Sequence, residues 1–164
     1  MKPATRVALR KAVRISVASL AGFYVCLYGF GDSTTAIYAL FTVIALGALS
    51  EVSGTPGRRL RTFAVAVPVG AVLVCLGTLL AVSTWAAAAG MLVVGFAVAY
   101  AGVGGPRVAG VANGLQLLYV LPCFPPFAPD TLDQRLLGLV IGGVLLVVAD
   151  RYLLPAAVGE PVAA

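Results

Sequence analysis

Between Arg61 and Arg107 the chain carries no charged residue, and apolar side chains fill most of that length. A small water-soluble domain can neither bury such a run completely nor leave it on its surface. The same character extends over the whole chain. It is 61% hydrophobic and 10% charged over 164 residues, with a mean hydropathy of +1.05, where a soluble domain carries roughly 25% charged residues. Lipid is therefore the expected solvent. The net charge of +5 does not mark a nucleic-acid binder, because the basic residues sit at the edges of apolar runs and form no basic face interleaved with aromatics. Placed there, they set membrane orientation.

The pattern predicts an all-α polytopic membrane protein with six transmembrane helices. Residues 1–14 form a basic amphipathic lead-in, in which Arg6, Arg10 and Arg14 share one helical face. A secretory signal peptide has a similar charged start. Further apolar spans follow, however, and Gly31-Asp32-Ser33-Thr34 offers no small-x-small cleavage site, so an uncleaved first span is expected. Residues 15–155 form the membrane domain, with spans expected at 15–30, 35–50, 62–82, 86–101, 108–121 and 132–154. The first two are short against the ~20 residues that cross a bilayer, and the first is expected to extend back into the lead-in with its arginines snorkelling. Pro68 is expected to kink the third span. Residues 156–164 read as a flexible tail.

One interior segment, 50–62, gathers charge, proline and glycine together: Glu51, Gly54, Pro56, Gly57, Arg58, Arg59 and Arg61. With six spans and the N-terminus inside, this segment is cytoplasmic, and so are both termini. The inner segments then hold Lys2, Arg6, Arg10, Lys11, Arg14, Arg58, Arg59, Arg61, Arg107 and Arg151, ten of the eleven cations. The outer segments hold Arg135 with Asp32, Asp130 and Asp133. One span more or fewer would scramble this division, so the bias supports the count and the orientation.

The chain contains no His, which removes the commonest general base and metal ligand. Cys26, Cys75 and Cys123 have no metal-ligand spacing, and no phosphate-binding glycine loop is present. No cofactor, no metal and no enzymatic activity is expected. Polar groups inside spans carry the remaining information. Asn113 and Gln116 share a helical face and read either as interhelical glue or as part of a substrate path. Glu51 reads as a salt bridge to Arg58 or Arg59, and Asp150 as a partner of Arg107 or Arg151; the functional alternative makes either acid a proton-linked gate. The pairs Gly110/Gly114 and Gly138/Gly142 each clear one helix face for close packing, with each other or with a second subunit. Arg58-Arg59-Leu60-Arg61 before span 3 is faintly echoed by Gln134-Arg135-Leu136-Leu137 before span 6, as in an inverted repeat.

Four stretches carry a resemblance: Leu9-Arg10-Lys11-Ala12-Val13-Arg14, Tyr38-Ala39-Leu40-Phe41-Thr42, Arg58-Arg59-Leu60-Arg61-Thr62, and Gln134 to Gly142 with Pro155 closing the last span. Together they resemble the fusaric acid resistance (FUSC) family of inner-membrane proteins, which includes aromatic acid exporters. Arg61 stands where that family usually has glycine. Members usually add a cytosolic domain and often a second membrane half. The resemblance implies a bacterial inner-membrane transporter half that exports small organic or aromatic acids as a homo-oligomer or with a partner half. Arg58, Arg59 and Arg107 would draw anions to the inner mouth, and the path would be lined by Asn113 and Gln116, with Glu51 and Asp150 near its inner end. The rival expectation is a non-transporting membrane subunit or shortened relative in which these groups only pack the bundle.

Overall fold

A computed structural model of the chain describes residues 3–52, 56–124 and 128–153, and among these it is all helical, with no strand. Residues 53–55 of the charged segment, 125–127, Pro155 and the 156–164 tail lie outside the described residues, as do the side chains of Arg6 and Arg107. Six α-helices are present: α1 (Pro3–Gly29), α2 (Ser33–Val43), α3 (Pro56–Leu80), α4 (Thr84–Tyr100), α5 (Pro106–Val120) and α6 (Leu132–Tyr152). From Pro3 onward the basic lead-in and the first span are one unbroken helix. α2 runs on into a π-helical turn, Ile44–Ala48, which the residue pattern does not announce. Pro68 lies inside α3 and does not interrupt it.

Among the described residues, three segments are long and apolar enough to cross a membrane: Val7–Gly29, Gly57–Leu80 and Pro129–Tyr152. Ser33–Ala48, Thr84–Tyr100 and Val108–Cys123 are apolar but shorter. At 17 residues, α4 is about 26 Å long, a little under the ~30 Å hydrocarbon core. Large apolar side chains face outward all round the bundle, among them Val65, Val72 and Leu79 of α3, Leu92 and Phe96 of α4, and Val140 and Val144 of α6. Near the helix ends Tyr28, Phe30, Trp85, Tyr100, Phe124 and Tyr152 are also exposed, as interfacial aromatics are.

Contacts fix the helix directions. Gly22 and Gly47 meet Ala39 and Ile15, so α1 and α2 are antiparallel. Gly138 meets Thr35 and Tyr38 while Gly142 meets Ala39 and Thr42, so α2 and α6 are parallel. Gly143 against Val67 and Gly70 against Leu139 make α3 antiparallel to α6. Gly70 against Leu118 and Gly77 against Pro122 make α5 parallel to α3. The Asp32 turn and the residues leading into α6 therefore share one end of the bundle. Arg10, Lys11, Arg14, Arg58, Arg59, Arg61, Asp150 and Arg151 share the other.

α2 is the packing centre. Thr35, Ala36, Tyr38, Ala39, Thr42 and Val43 are buried, and so are Ala45, Leu46 and Gly47 of the π turn. The two glycine pairs, expected to bring α5 and α6 onto each other or onto a second subunit, within the chain bring α6 onto α2 and α5 onto the π turn and the residues that follow it. A Cβ at Gly142 would stand 2.5 Å from the Ala39 carbonyl oxygen, and one at Gly110 would stand 2.5 Å from that of Glu51. Gly138 faces the Thr35 carbonyl and Gly114 faces that of Ala45. In lipid, such backbone approach supplies the dispersion contacts that water would otherwise drive by exclusion. The short α2 fits because its ends are secured. Asp32 caps the start, accepting from Thr34 N at 3.3 Å, from Thr35 N at 2.7 Å and from the Thr35 hydroxyl. Burial pushes the Asp32 carboxyl up, but these donors outweigh it and hold it below its ordinary range. At the other end Ser50 Oγ donates to Ala45 O at 3.1 Å, and Glu51 N donates to Gly110 O at 2.7 Å.

The glycine seam is testable by contrast. Gly142→Ala is expected to destabilise the protein by about 1–3 kcal/mol, because backbone must move to admit the methyl. Gly95, where an added Cβ would meet nothing within 4 Å, is expected to tolerate Ala with a gain of about 0.5 kcal/mol. Thermal unfolding of both variants in one detergent checks the pair.

Candidate functional site

Near the cation-rich end the apolar interior is interrupted by one carboxylate. Asp150 lies on the inward face of α6, four positions after buried Leu146. Two guanidinium groups converge on its Oδ1: Arg14 NH1 of α1 at 2.8 Å and Arg59 NH2 of α3 at 2.6 Å. The side chains are 8% (Arg14), 15% (Arg59) and 11% (Asp150) exposed. Both approaches are ion pairs at contact distance without the alignment of hydrogen bonds, and the Nε atoms of both arginines are buried without a hydrogen-bond partner. Two cations on one anion leave a local excess of positive charge. Each arginine reaches this point because it continues the inward stripe of its helix. Arg14 precedes Ile15, Ala18 and Ser19, and Arg59 precedes Phe63 and Ala66, all buried.

This corrects the pairings expected from sequence. Asp150 is held by Arg14 and Arg59 and not by its neighbour Arg151, because successive residues on a helix do not face the same way; the side chain of Arg107, the other expected partner, lies outside the described residues. Arg151 is exposed. Glu51 is exposed and, among the described residues, makes no ion pair with Arg58 or Arg59. Arg59 is drawn away to Asp150, and Arg58 is exposed, its carbonyl accepting from Thr62 Oγ1 at 3.0 Å. Lys11 Nζ reaches Ala48 O at 3.4 Å, tying α1 to the π turn.

A cleft of about 50 Å³ lies beside the carboxylate, lined by Leu60, Phe63, Val147, Asp150 and Arg151. It has room for no more than a few waters and is far below the roughly 300–1,000 Å³ of a small-molecule pocket. An open groove of about 500 Å³ runs along α4 and is lined by Ala88, Met91, Leu92, Gly95 and Phe96. It contains no side chain able to orient a carboxylate. Asn113 is exposed and Gln116 half-buried, both on α5, and neither makes a hydrogen bond among the described residues. Among the described residues they bond no two helices together, and they line neither the cleft nor the groove.

The opposite end has its own buried cation. Arg135, 4% exposed, donates from Nε to Thr131 Oγ1 at 3.0 Å and from NH1 to Thr78 Oγ1 at 3.2 Å, and lies 5.4 Å from the centroid of the Tyr38 ring. It fastens the ends of α3 and α6 to α2. Arg135 and Asp150 are fifteen residues apart on α6, or about 22 Å. No group of three or more metal-ligating side chains occurs among the described residues.

Family models, curated proteins and solved structures were each compared with the chain, and none matches.

Asp150→Asn removes the anion and leaves two buried guanidinium groups facing each other. It is expected to cost about 3 kcal/mol, whereas Glu51→Gln is expected to stay within about 0.5 kcal/mol of the parent. Denaturation in detergent distinguishes them, and equal effects would contradict the assignment of Asp150 as the shared anion.

Proposed function

We propose that the chain is a multi-pass protein of the bacterial cytoplasmic membrane. Its six helices cross the bilayer with both termini inside, and they form one half of an exporter of small organic anions. The observation that carries this reading is the excess of positive charge at one end. Asp150 is already shared by two arginines, so Arg10, Arg58, Arg61 and Arg151, all exposed, are left to set the potential there. Such a mouth concentrates anions and raises their rate of entry. The resemblance to the fusaric acid resistance family supports aromatic acids as the cargo class. The small cleft in the single chain supports a path completed between chains, in a homo-oligomer or with a partner half.

The tight interior supports a second reading, a non-transporting membrane subunit whose buried charges only hold helices together. Flux separates the two. Purified protein in proteoliposomes is expected to move a labelled aromatic acid such as benzoate. Exchanging Arg58 and Arg61 together for Gln is expected to raise KM up to roughly tenfold with kcat little changed. Arg59 is unsuited to this test because its loss also breaks the Asp150 cluster. No flux from intact protein, alone or with a partner half, would leave the structural reading standing.

A further inference from the structure

Five buried polar atoms among the described residues have no hydrogen-bond partner: Arg14 Nε, Ser19 Oγ, Thr42 Oγ1, Arg59 Nε and Asp150 Oδ1. Helix register puts all five in one region. α1 and α2 run antiparallel with Gly22 against Ala39 and Ile15 against Gly47, so Ser19 stands opposite Thr42. On α6 the same place is marked by Gly142, where an added Cβ would stand 2.9 Å from Thr42 Cβ. Arg14 precedes Ser19 by five residues, so its pair with Asp150 lies about 7.5 Å nearer the cation-rich end. Ser19 is 5% exposed, Thr42 0% and Arg14 7%. The other buried polar side chains, Thr35, Ser50, Thr78 and Arg135, all make hydrogen bonds. Neither Ser19 nor Thr42 bonds even the carbonyl one turn back, the usual resort of a hydroxyl in an apolar helix.

The character of these atoms selects a ligand. Both hydroxyls and both Nε–H groups can donate, and two guanidinium groups on one carboxylate leave net positive charge. A cation meets here only an acid that is already shared, whereas an anion meets charge and donors together. We propose that this junction of α1, α2 and α6 holds the carboxylate of the exported acid, through Arg14 and the hydroxyls of Ser19 and Thr42. The sharing of Asp150 makes this possible. Arg14 can turn to an incoming carboxylate while Arg59 keeps Asp150 paired, so no buried charge is stranded. The junction is closed in this structure, and it opens where α1 meets α2 through the small residues Gly22, Cys26, Ala36 and Ala39. Only the carboxylate head need enter, which is compatible with a path completed between chains. The site rests on the exporter reading for its cargo, but not for its binding chemistry.

The test uses the full-length protein in a non-ionic detergent, with sodium benzoate, sodium acetate and sodium chloride as probes. Benzoate and acetate are expected to bind in calorimetry and to raise the unfolding temperature beyond the effect of equal chloride. Thr42→Val, which keeps the shape and removes the hydroxyl, and Ser19→Ala are each expected to weaken carboxylate binding about tenfold or more, the worth of a hydrogen bond to a charged group. Thr42→Ser retains the hydroxyl and is expected to preserve binding. Without ligand, Thr42→Val is expected to unfold no earlier than the parent, since it removes a buried polar group that has no partner. A hydroxyl with only a structural role would instead lower stability and leave affinity alone. No carboxylate binding by the parent, affinity unchanged in Thr42→Val and Ser19→Ala, or chloride binding as tightly as either carboxylate overturns the proposal. Hydroxyl-dependent binding in protein that moves no benzoate would sink the exporter reading and leave this site intact. Benzoate flux with KM unchanged in both variants would do the reverse.

Discussion

The arrangement depends on a single carboxylate in the wrong solvent. Asp150 sits where α1, α3 and α6 converge, at the end of an otherwise apolar bundle, with Arg14 and Arg59 on one oxygen. Withdrawing such charges from water costs several kcal/mol each unless they are paired. The geometry is tolerable because the cluster lies at the charged end, where long side chains are near water and headgroups. Joining two basic helices to one acid also defines the register of α6, which then presents its glycines to α2. Arg135, about 22 Å away along the same helix, fastens the other end to Thr78 and Tyr38. α6 is thus anchored by charge at both ends and by backbone contact between them.

The contacts between those anchors follow from the solvent. In lipid there is no hydrophobic force to press helices together, so close approach must supply dispersion and weak polar contacts. α2 receives glycine faces from α6 along its helix and from α5 at its π turn. α4 has no fully buried residue and lies at the edge of the bundle. Its one polar tie to α5 among the described residues is the Tyr119 hydroxyl, which donates to Ala87 O at 3.0 Å.

Much of this was legible from the residues. Apolar runs bounded by charge give helices, and among the described residues every cation but Arg135 gathers at one end, as their spacing implies. The six-helix count is matched, although three of the helices are shorter than a comfortable span. What the sequence withheld was partnership. Gly110/Gly114 and Gly138/Gly142 say that a backbone will approach, but not whose. The partners of Asp150 depend on helical phase: Arg59 falls in line with Phe63 and Ala66 while Arg58 does not, a signal that the i, i+4, i+7 stripe contains but that only the matching stripes of α1 and α6 make meaningful. Asn113 is one residue from buried Gly114, yet that 100° rotation turns it from the interior to the outside. The π turn has no composition signature, and it arises where α2 must end early against α5.

A double-mutant cycle on Arg14 and Asp150 tests the central tie most directly. Unfolding free energies in detergent would be measured for the parent, Arg14→Gln, Asp150→Asn and the pair. A coupling of about 1–3 kcal/mol is predicted, with the double variant more stable than the sum of the single losses implies. Additivity within about 0.3 kcal/mol would contradict the account, because it would mean that the carboxylate and the α1 arginine do not hold each other.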